Sequence, residues 1–224
     1  MSTRMVEVRA KVLKQNDLLA RSLRERFQAE GMCVIGLVSS PGSGKTAFLE
    51  KLLGRLAREH RVAALVGDLA TENDAARLQR ATPNVKQITT GTICHLDAQM
   101  VEQALASWDI GPTDFLFIEN VGNLVCPSSY DLGEEFRFVL LSATEGEDKP
   151  LKYPTIFNSS DAAIITKMDL AEACEFDLAA ARRNIENVRP GMKIFEVSSK
   201  TGAGMETVAA FLLNQLAQTR EALE

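Results

Sequence analysis

Ser39-Ser40-Pro41-Gly42-Ser43-Gly44-Lys45-Thr46 follows the apolar run Cys33 to Val38 and precedes Phe48, Leu49, Leu52, Leu53 and Leu56 at helical spacing. A buried strand, a glycine-rich turn and an amphipathic helix are thus expected in direct succession. Such a junction gathers backbone N–H groups at a helix N-terminus, where aligned peptide dipoles favour an anion. Gly42 and Gly44 permit close backbone approach, and Pro41, Ser43 and Ala47 complete the expected cradle. Lys45 is placed to reach the β- and γ-phosphates of a bound nucleotide, and the Thr46 hydroxyl to ligate magnesium. Ser39 stands where the strict G-x-x-x-x-G-K-[ST] pattern has its first glycine, which changes the pattern but not the donors. The stretch therefore predicts a phosphate loop of the P-loop nucleoside triphosphatase type.

Working outward, further short runs rich in Val and Ile lie at Val62 to Val66, Val85 to Thr89, Phe115 to Ile118, Ala162 to Ile165 and Ile194 to Val197. Helical patterns separate them at Met100 to Trp108, Ala179 to Val188 and Met205 to Leu216. This alternation predicts an α/β fold of three layers, a mostly parallel, doubly wound sheet with helices on both faces. One further strand is expected at Phe138 to Ser142, followed by a loop. Val8, Val12, Leu19, Leu23 and Phe27 recur at helical spacing and stop at Gly31, a natural helix end. Residues 1–31 are expected as a helix packed on a single domain spanning 1–224.

Composition agrees with an ordinary globular chain: of 224 residues, 46% are apolar and 25% charged, and the formal net charge is -5. Lys and Arg are scattered, so neither nucleic acid nor an anionic membrane is expected as a partner. No apolar stretch reaches bilayer length and none opens the chain as a leader, so a cytoplasmic location is expected. Cys33, Cys94, Cys126 and Cys174 lie far apart, and a disulfide framework is not expected in that compartment. Cys33 and Cys174 are expected as packing residues.

Glu119 ends the apolar run Phe115 to Ile118, where a carboxylate can hold magnesium through water. Gly122 follows, and its backbone N–H is placed to sense a γ-phosphate. Asp68, after the strand at Val62, is expected at the same carboxyl edge and as a second magnesium partner. Asp74 is a candidate for orienting the attacking water, with an N-cap before Ala75 as its other role. Thr166-Lys167-Met168-Asp169 follows another strand. A carboxylate there accepts both donors on the edge of guanine, a pair that adenine lacks. GTPases have Asn-Lys-x-Asp at this point, and Thr166 replaces the Asn. Ser198-Ser199-Lys200, after the last strand, is placed to supply a second loop against the base.

Cys94 and His95 are adjacent, and Cys126 lies four residues past Gly122. Two thiolates and an imidazole suit zinc or nickel, not magnesium. Cys94-His95 is expected to open the helix that runs through Asp97 and Met100, where a thiolate is favoured. Spacing alone leaves open two ordinary buried cysteines and a surface histidine.

Four strings carry a resemblance over nearly the whole chain: the phosphate loop, Thr90-Gly91-Thr92-Ile93-Cys94-His95-Leu96-Asp97-Ala98, Glu119-Asn120-Val121-Gly122-Asn123-Leu124-Val125-Cys126-Pro127, and Thr144-Glu145-Gly146-Glu147-Asp148-Lys149-Pro150. The chain resembles the hydrogenase nickel-incorporation GTPases, the HypB family, within the SIMIBI class of P-loop GTPases. The resemblance implies a cytoplasmic GTPase binding GTP, GDP and Mg2+, forming a GTP-dependent homodimer, and holding Ni2+ or Zn2+ at the subunit interface through Cys94, His95 and Cys126. It also implies a nickel-binding companion chaperone and a hydrogenase large-subunit precursor as partners. The N-terminal cysteine motif and histidine-rich stretch of some relatives are absent from this sequence.

Cys126 lies four positions past Gly122, a span of at most about 14 Å. Nucleotide contact at Gly122 is therefore expected to alter the metal ligands, and metal to alter nucleotide affinity in return. Rival readings are a GTP-binding switch or scaffold without metal function, a small-molecule kinase or ATPase, and a urease-type accessory GTPase.

Overall fold

The computed structural model describes residues 3–70 and 73–223. Its elements run α1 (Thr3–Ala29), β1 (Cys33–Ser39), α2 (Lys45–Leu56), β2 (Val62–Asp68), α3 (Asn73–Leu78), β3 (Val85–Thr89), α4 (Ala98–Ala106), β4 (Phe115–Glu119), β5 (Phe136–Ser142), α5 (Lys149–Lys152), α6 (Pro154–Asn158), β6 (Ala162–Thr166), α7 (Leu178–Val188), β7 (Lys193–Glu196) and α8 (Met205–Glu221). The seven strands form one sheet in the order β3-β2-β4-β1-β5-β6-β7, and every pairing is parallel. All seven expected strands are present.

Alternation along the strands divides the core. Cys33, Ile35 and Leu37 of β1, with Phe115 and Phe117 of β4, pack on Phe48, Leu52 and Leu53 of α2 and Leu212 of α8. Val34, Leu116 and Ile118 point to the other face, against Leu23 and Phe27 of α1 and Val101 of α4. Val139, Leu141, Ala163 and Ile165 pack there on Phe157, Ala181 and Ile185 of α6 and α7. Near-continuous apolar strands are the pattern expected when both faces are covered.

The chain leaves β1 toward β2 on one side and leaves β5 toward β6 on the other, although β1 and β5 are neighbours. Such a reversal opens a crevice at the carboxyl ends of the strands. The glycine-rich loop lies there because it directly follows β1.

Several expectations require correction. The stretch after β5 is not a plain loop: a capping box on Ser142 and Glu145 starts a 3-10 turn, and the short helices α5 and α6 follow. Their brevity and their prolines hid them from a periodicity search. Helix α1 ends as expected, with Gly31 at φ 65° and bonds from Met32 N to Phe27 O and from Gly31 N to Gln28 O. That pair is the Schellman arrangement, which closes orphan carbonyls. Its apolar stripe is only half used, because Leu23 and Phe27 are buried while Val8 and Val12 are exposed. Cys33 is buried as expected, but Cys174 is exposed, in the turns before α7.

Candidate functional site

Gly42 and Gly44 adopt φ of 75° and 90°, in the left-handed region that favours glycine, and Gly44 caps α2 without any side-chain bond. The first N–H groups of α2 are therefore turned to the crevice without a protein acceptor on the cap. Ser39 explains the departure from the strict pattern. Its hydroxyl accepts from Ser43 Oγ at 2.6 Å and donates to Ser40 O at 2.9 Å, so a buried serine ties the loop to itself. Thr166, in place of Asn, donates to Ser43 O at 2.6 Å, and Lys167 Nζ donates to Gly42 O at 2.7 Å. The loop after β6 thus clasps the loop after β1.

Pro41 to Ala47 line a cleft of about 400 Å3 together with Asp68, Leu69, Asp74, Arg77, Val121 and Gly122. Gly122 lies against Pro41, where an added Cβ would come within 3.0 Å of Pro41 Cα. Thr46 Oγ1 donates to Glu119 Oε1 at 2.7 Å, and Lys45 Nζ is 3.9 Å from the same oxygen. Glu119 Oε2 is buried without a hydrogen-bond partner. Burial pushes the Glu119 carboxyl up, against the opposing effects of Lys45 and the Thr46 hydroxyl. A buried carboxylate oxygen left without a donor has the chemistry to accept one from a metal-bound water, so the residues fit a magnesium ion beside Thr46.

Asp68 is half-buried at the end of β2, its carboxylate accepting from Leu69 N at 2.6 Å. Asp74 sits inside the first turn of α3, so the expected N-cap position is not the one it takes. Arg77 was not anticipated from the sequence. It reaches the cleft from α3 and donates to Glu50 at 2.6 Å. Glu145 was likewise missed: it accepts from Ser40 Oγ and from Ser142 N. Its visible trace is the Ser142-to-Glu145 spacing of a capping box.

Asp169 and Ser198, from different loops, meet at 2.5 Å, the Ser198 hydroxyl donating to the carboxylate. Asp169 is exposed, Ser199 half-buried and Lys200 exposed. The two loops proposed for the base are therefore adjacent, and Lys167 connects them to the glycine-rich loop.

Cys94, His95 and Cys126 come together, their ligand atoms all within 4.8 Å of one another and half-buried. The two sulfurs are 3.0 Å apart. His95 stacks on Tyr130 with ring centroids 4.0 Å apart, and its Nδ1 is buried without a hydrogen-bond partner. Burial pushes the imidazole down from its ordinary value, with Asp97 acting the other way, so the neutral ligating form is favoured. One expectation fails here. The helix starts at Ala98, and Asp97 caps it by accepting from Met100 N at 2.8 Å, so Cys94-His95 lies in the preceding loop and gains nothing from a helix N-terminus. Two soft thiols and an imidazole with an open nitrogen suit nickel or zinc.

Against this geometry, the model of the CobW/HypB/UreG nucleotide-binding domain matches residues 33–196. The hydrogenase maturation factor HypB of Azotobacter vinelandii is 44% identical over 213 residues, 95% of this chain and 70% of that protein. The chain belongs to the HypB family. The hydrogenase/urease maturation factor HypB of Helicobacter pylori is 42% identical over 219 residues, 96% of this chain and 90% of that protein. A crystal structure of HypB from Helicobacter pylori in complex with nickel superposes with a TM-score of 0.86, covering 94% of this chain and 97% of that one at 42% identity. As a HypB-family member the chain has a P-loop nucleotide-binding domain, and among the described residues no helix is long and apolar enough to cross a membrane.

Proposed function

We propose that this chain is a GTP hydrolase and metallochaperone that assists nickel insertion into nickel–iron hydrogenase during its maturation. The observation that carries the proposal is a single eight-residue segment: Glu119 at its start bonds Thr46 of the phosphate loop, and Cys126 at its end meets Cys94 in the soft-ligand cluster. Family membership supports it, as does the nickel complex of the Helicobacter pylori relative.

In this reading the N-terminus of α2 and Lys45 bind the β- and γ-phosphates, and Gly42 and Gly44 allow the contact. Thr46, Glu119 and Asp68 would hold Mg2+, which when bound neutralises charge on those phosphates. Asp74 orients the attacking water and the Gly122 N–H meets the γ-phosphate. Asp169 accepts from the base and fixes guanine, with Ser198, Ser199 and Lys200 beside it. Cys94, His95 and Cys126 bind nickel, or zinc, as cargo. The chain acts as one domain with α1 packed on it, as a GTP-dependent homodimer in the cytoplasm, with a nickel-binding chaperone and the hydrogenase large-subunit precursor as partners.

The test is a titration of Ni2+ into the protein loaded with GDP or with a non-hydrolysable GTP analogue, with molecular size followed in parallel. Different affinities in the two states are expected. Equal affinities and an unchanged size would remove the coupling on which the delivery function depends.

A further inference from the structure

Residues 119–126 face two ways. Glu119 and Gly122 touch the phosphate loop, at Thr46 and Pro41. Asn120 and Asn123, between and beyond them, are turned to the loop that carries Cys94 and His95. Asn120 Oδ1 accepts from Leu96 N at 3.0 Å and from Val121 N at 2.9 Å. Asn123 Nδ2 donates to Cys94 O at 3.3 Å, while its Oδ1 accepts from Val125 N at 2.8 Å.

The two Asn120 bonds are buried, and the Asn123 bond to Cys94 is partly so. Asn120 is 2% exposed and Leu96 is fully buried. The Leu96 side chain fills the space beside Gly67, where an added Cβ would come within 2.7 Å of it, one residue before Asp68 of the cleft. The Cys94–Leu96 loop is thereby referenced to the ends of β2 and β4. Without the two asparagines only Cys126, at the far end of the segment, would register a shift at Glu119–Gly122. With them, a shift at Glu119–Gly122 is also passed to the Leu96 N–H and the Cys94 carbonyl, the groups on either side of His95. Packed hydrogen-bonded contacts of this kind can carry coupling between two sites when the segment has two arrangements.

We propose that Asn120 and Asn123 are positioning residues that make the nucleotide state of the cleft legible at the Cys94, His95 and Cys126 cluster. This rests on the coupled GTPase and metal function proposed above, and it adds the parts that transmit the coupling. Asn120 anchors the ligand loop to the strand end; Asn123 ties the Cys94 carbonyl to the turn leading to Cys126.

The experiment measures Ni2+ affinity by titration in the GDP-bound and GTP-analogue-bound forms of the wild type, Asn120→Ala, Asn120→Asp and Asn123→Asp. The informative quantity is the ratio of the two affinities. Asn123→Asp removes the donor to Cys94 O but keeps the acceptor for Val125 N, so the local turn survives. A wild-type ratio of roughly fivefold or more is expected. It should fall below about twofold in Asn120→Ala and Asn123→Asp, and return in Asn120→Asp, whose carboxylate accepts the same two N–H bonds. If Asn120→Ala does not fold, Asn123→Asp decides alone. A merely structural role would lower nickel affinity equally in both nucleotide states and leave the ratio intact, which overturns the proposal. A wild-type ratio of one would overturn the coupled function as well; a large wild-type ratio preserved in Asn123→Asp overturns only the role of the asparagines.

Discussion

Strand β4 carries a buried carboxylate at each end, and the two are treated in opposite ways. Asp114, just before the strand, accepts from Arg61 N at 2.7 Å, from Arg61 Nη2 at 2.8 Å and from Arg220 Nη2 at 2.5 Å. Burial acts upward on it, but the hydrogen bonds from Arg61 and Arg220 outweigh burial and hold its carboxyl well below the ordinary aspartate range. Glu119, which ends the strand, has one oxygen on Thr46 and the other without a partner, and burial pushes it up. A saturated charge joins α8 and the β1–β2 region to the sheet; an unsaturated one leaves a buried acceptor without a donor. His95, with its open Nδ1, belongs to the same unsaturated end. Among the described residues, Glu119 and His95 each keep a buried polar atom without a hydrogen-bond partner at the carboxyl edge of the sheet.

Cys126→Ala offers the hardest blow to that contrast. Nickel affinity should drop by more than the roughly 100-fold reached when partners outside the ligand set are lost, with GTP affinity retained. Competition titration against a metal chelator checks it. Glu119→Gln comes next: phosphate release from GTP should slow by roughly 100-fold, the scale seen when one preorganised transition-state contact is removed. Its stability should follow the linkage of a raised carboxyl. The native state then binds the extra proton, so the stability contributed by Glu119 is full below the ordinary value of 4.5 and is lost as pH rises. Thermal unfolding at neutral pH should therefore occur at or above the wild-type temperature, and a large decrease would erase the distinction between the two strand ends.

Tyr130 sharpens the comparison, because it stacks on His95, a metal ligand in the proposed function, without being a ligand itself. Tyr130→Ala should weaken nickel binding by roughly 10-fold, while Tyr130→Phe keeps the stack on His95 and stays near the wild type. The smallest effect on either site is expected for Asp114→Ala, which should leave nickel and GTP affinities unchanged but lower unfolding free energy by about 1–3 kcal/mol. Here the native carboxyl is depressed, so its stabilisation is full above the ordinary value of 3.8 and is lost as pH falls through the native value. Denaturant melts of wild type and variant should converge on acidification.

How far these sites could be read in advance follows from their locality. The glycine-rich loop was legible because strand, turn and helix are consecutive, and because Gly42 and Gly44 have left-handed φ values that ordinary side chains avoid. Glu119 and Asp68 were legible for a related reason: parallel strands bring all their carboxyl ends to one edge. Arg77, Glu145 and Tyr130 were not legible, since each reaches its site from an element whose placement depends on packing between distant segments. The helix dipole expected to favour the Cys94 thiolate was a misreading of one boundary, where Asp97 takes the cap.

By itself the sequence determined the alternation of strands and helices, the strand-to-helix phosphate loop and the residue types capable of holding phosphate, magnesium and a soft metal. Those depend on period, turn chemistry and ligand hardness, all of which are properties of neighbouring residues. Only the tertiary structure decided that Cys94 and Cys126 meet, that Thr166 and Lys167 clasp the phosphate loop, and that Asn120 and Asn123 tie the two sites together. Such meetings between segments far apart in sequence are set by the order of strands in the sheet and by the core that holds them, and no local pattern encodes them.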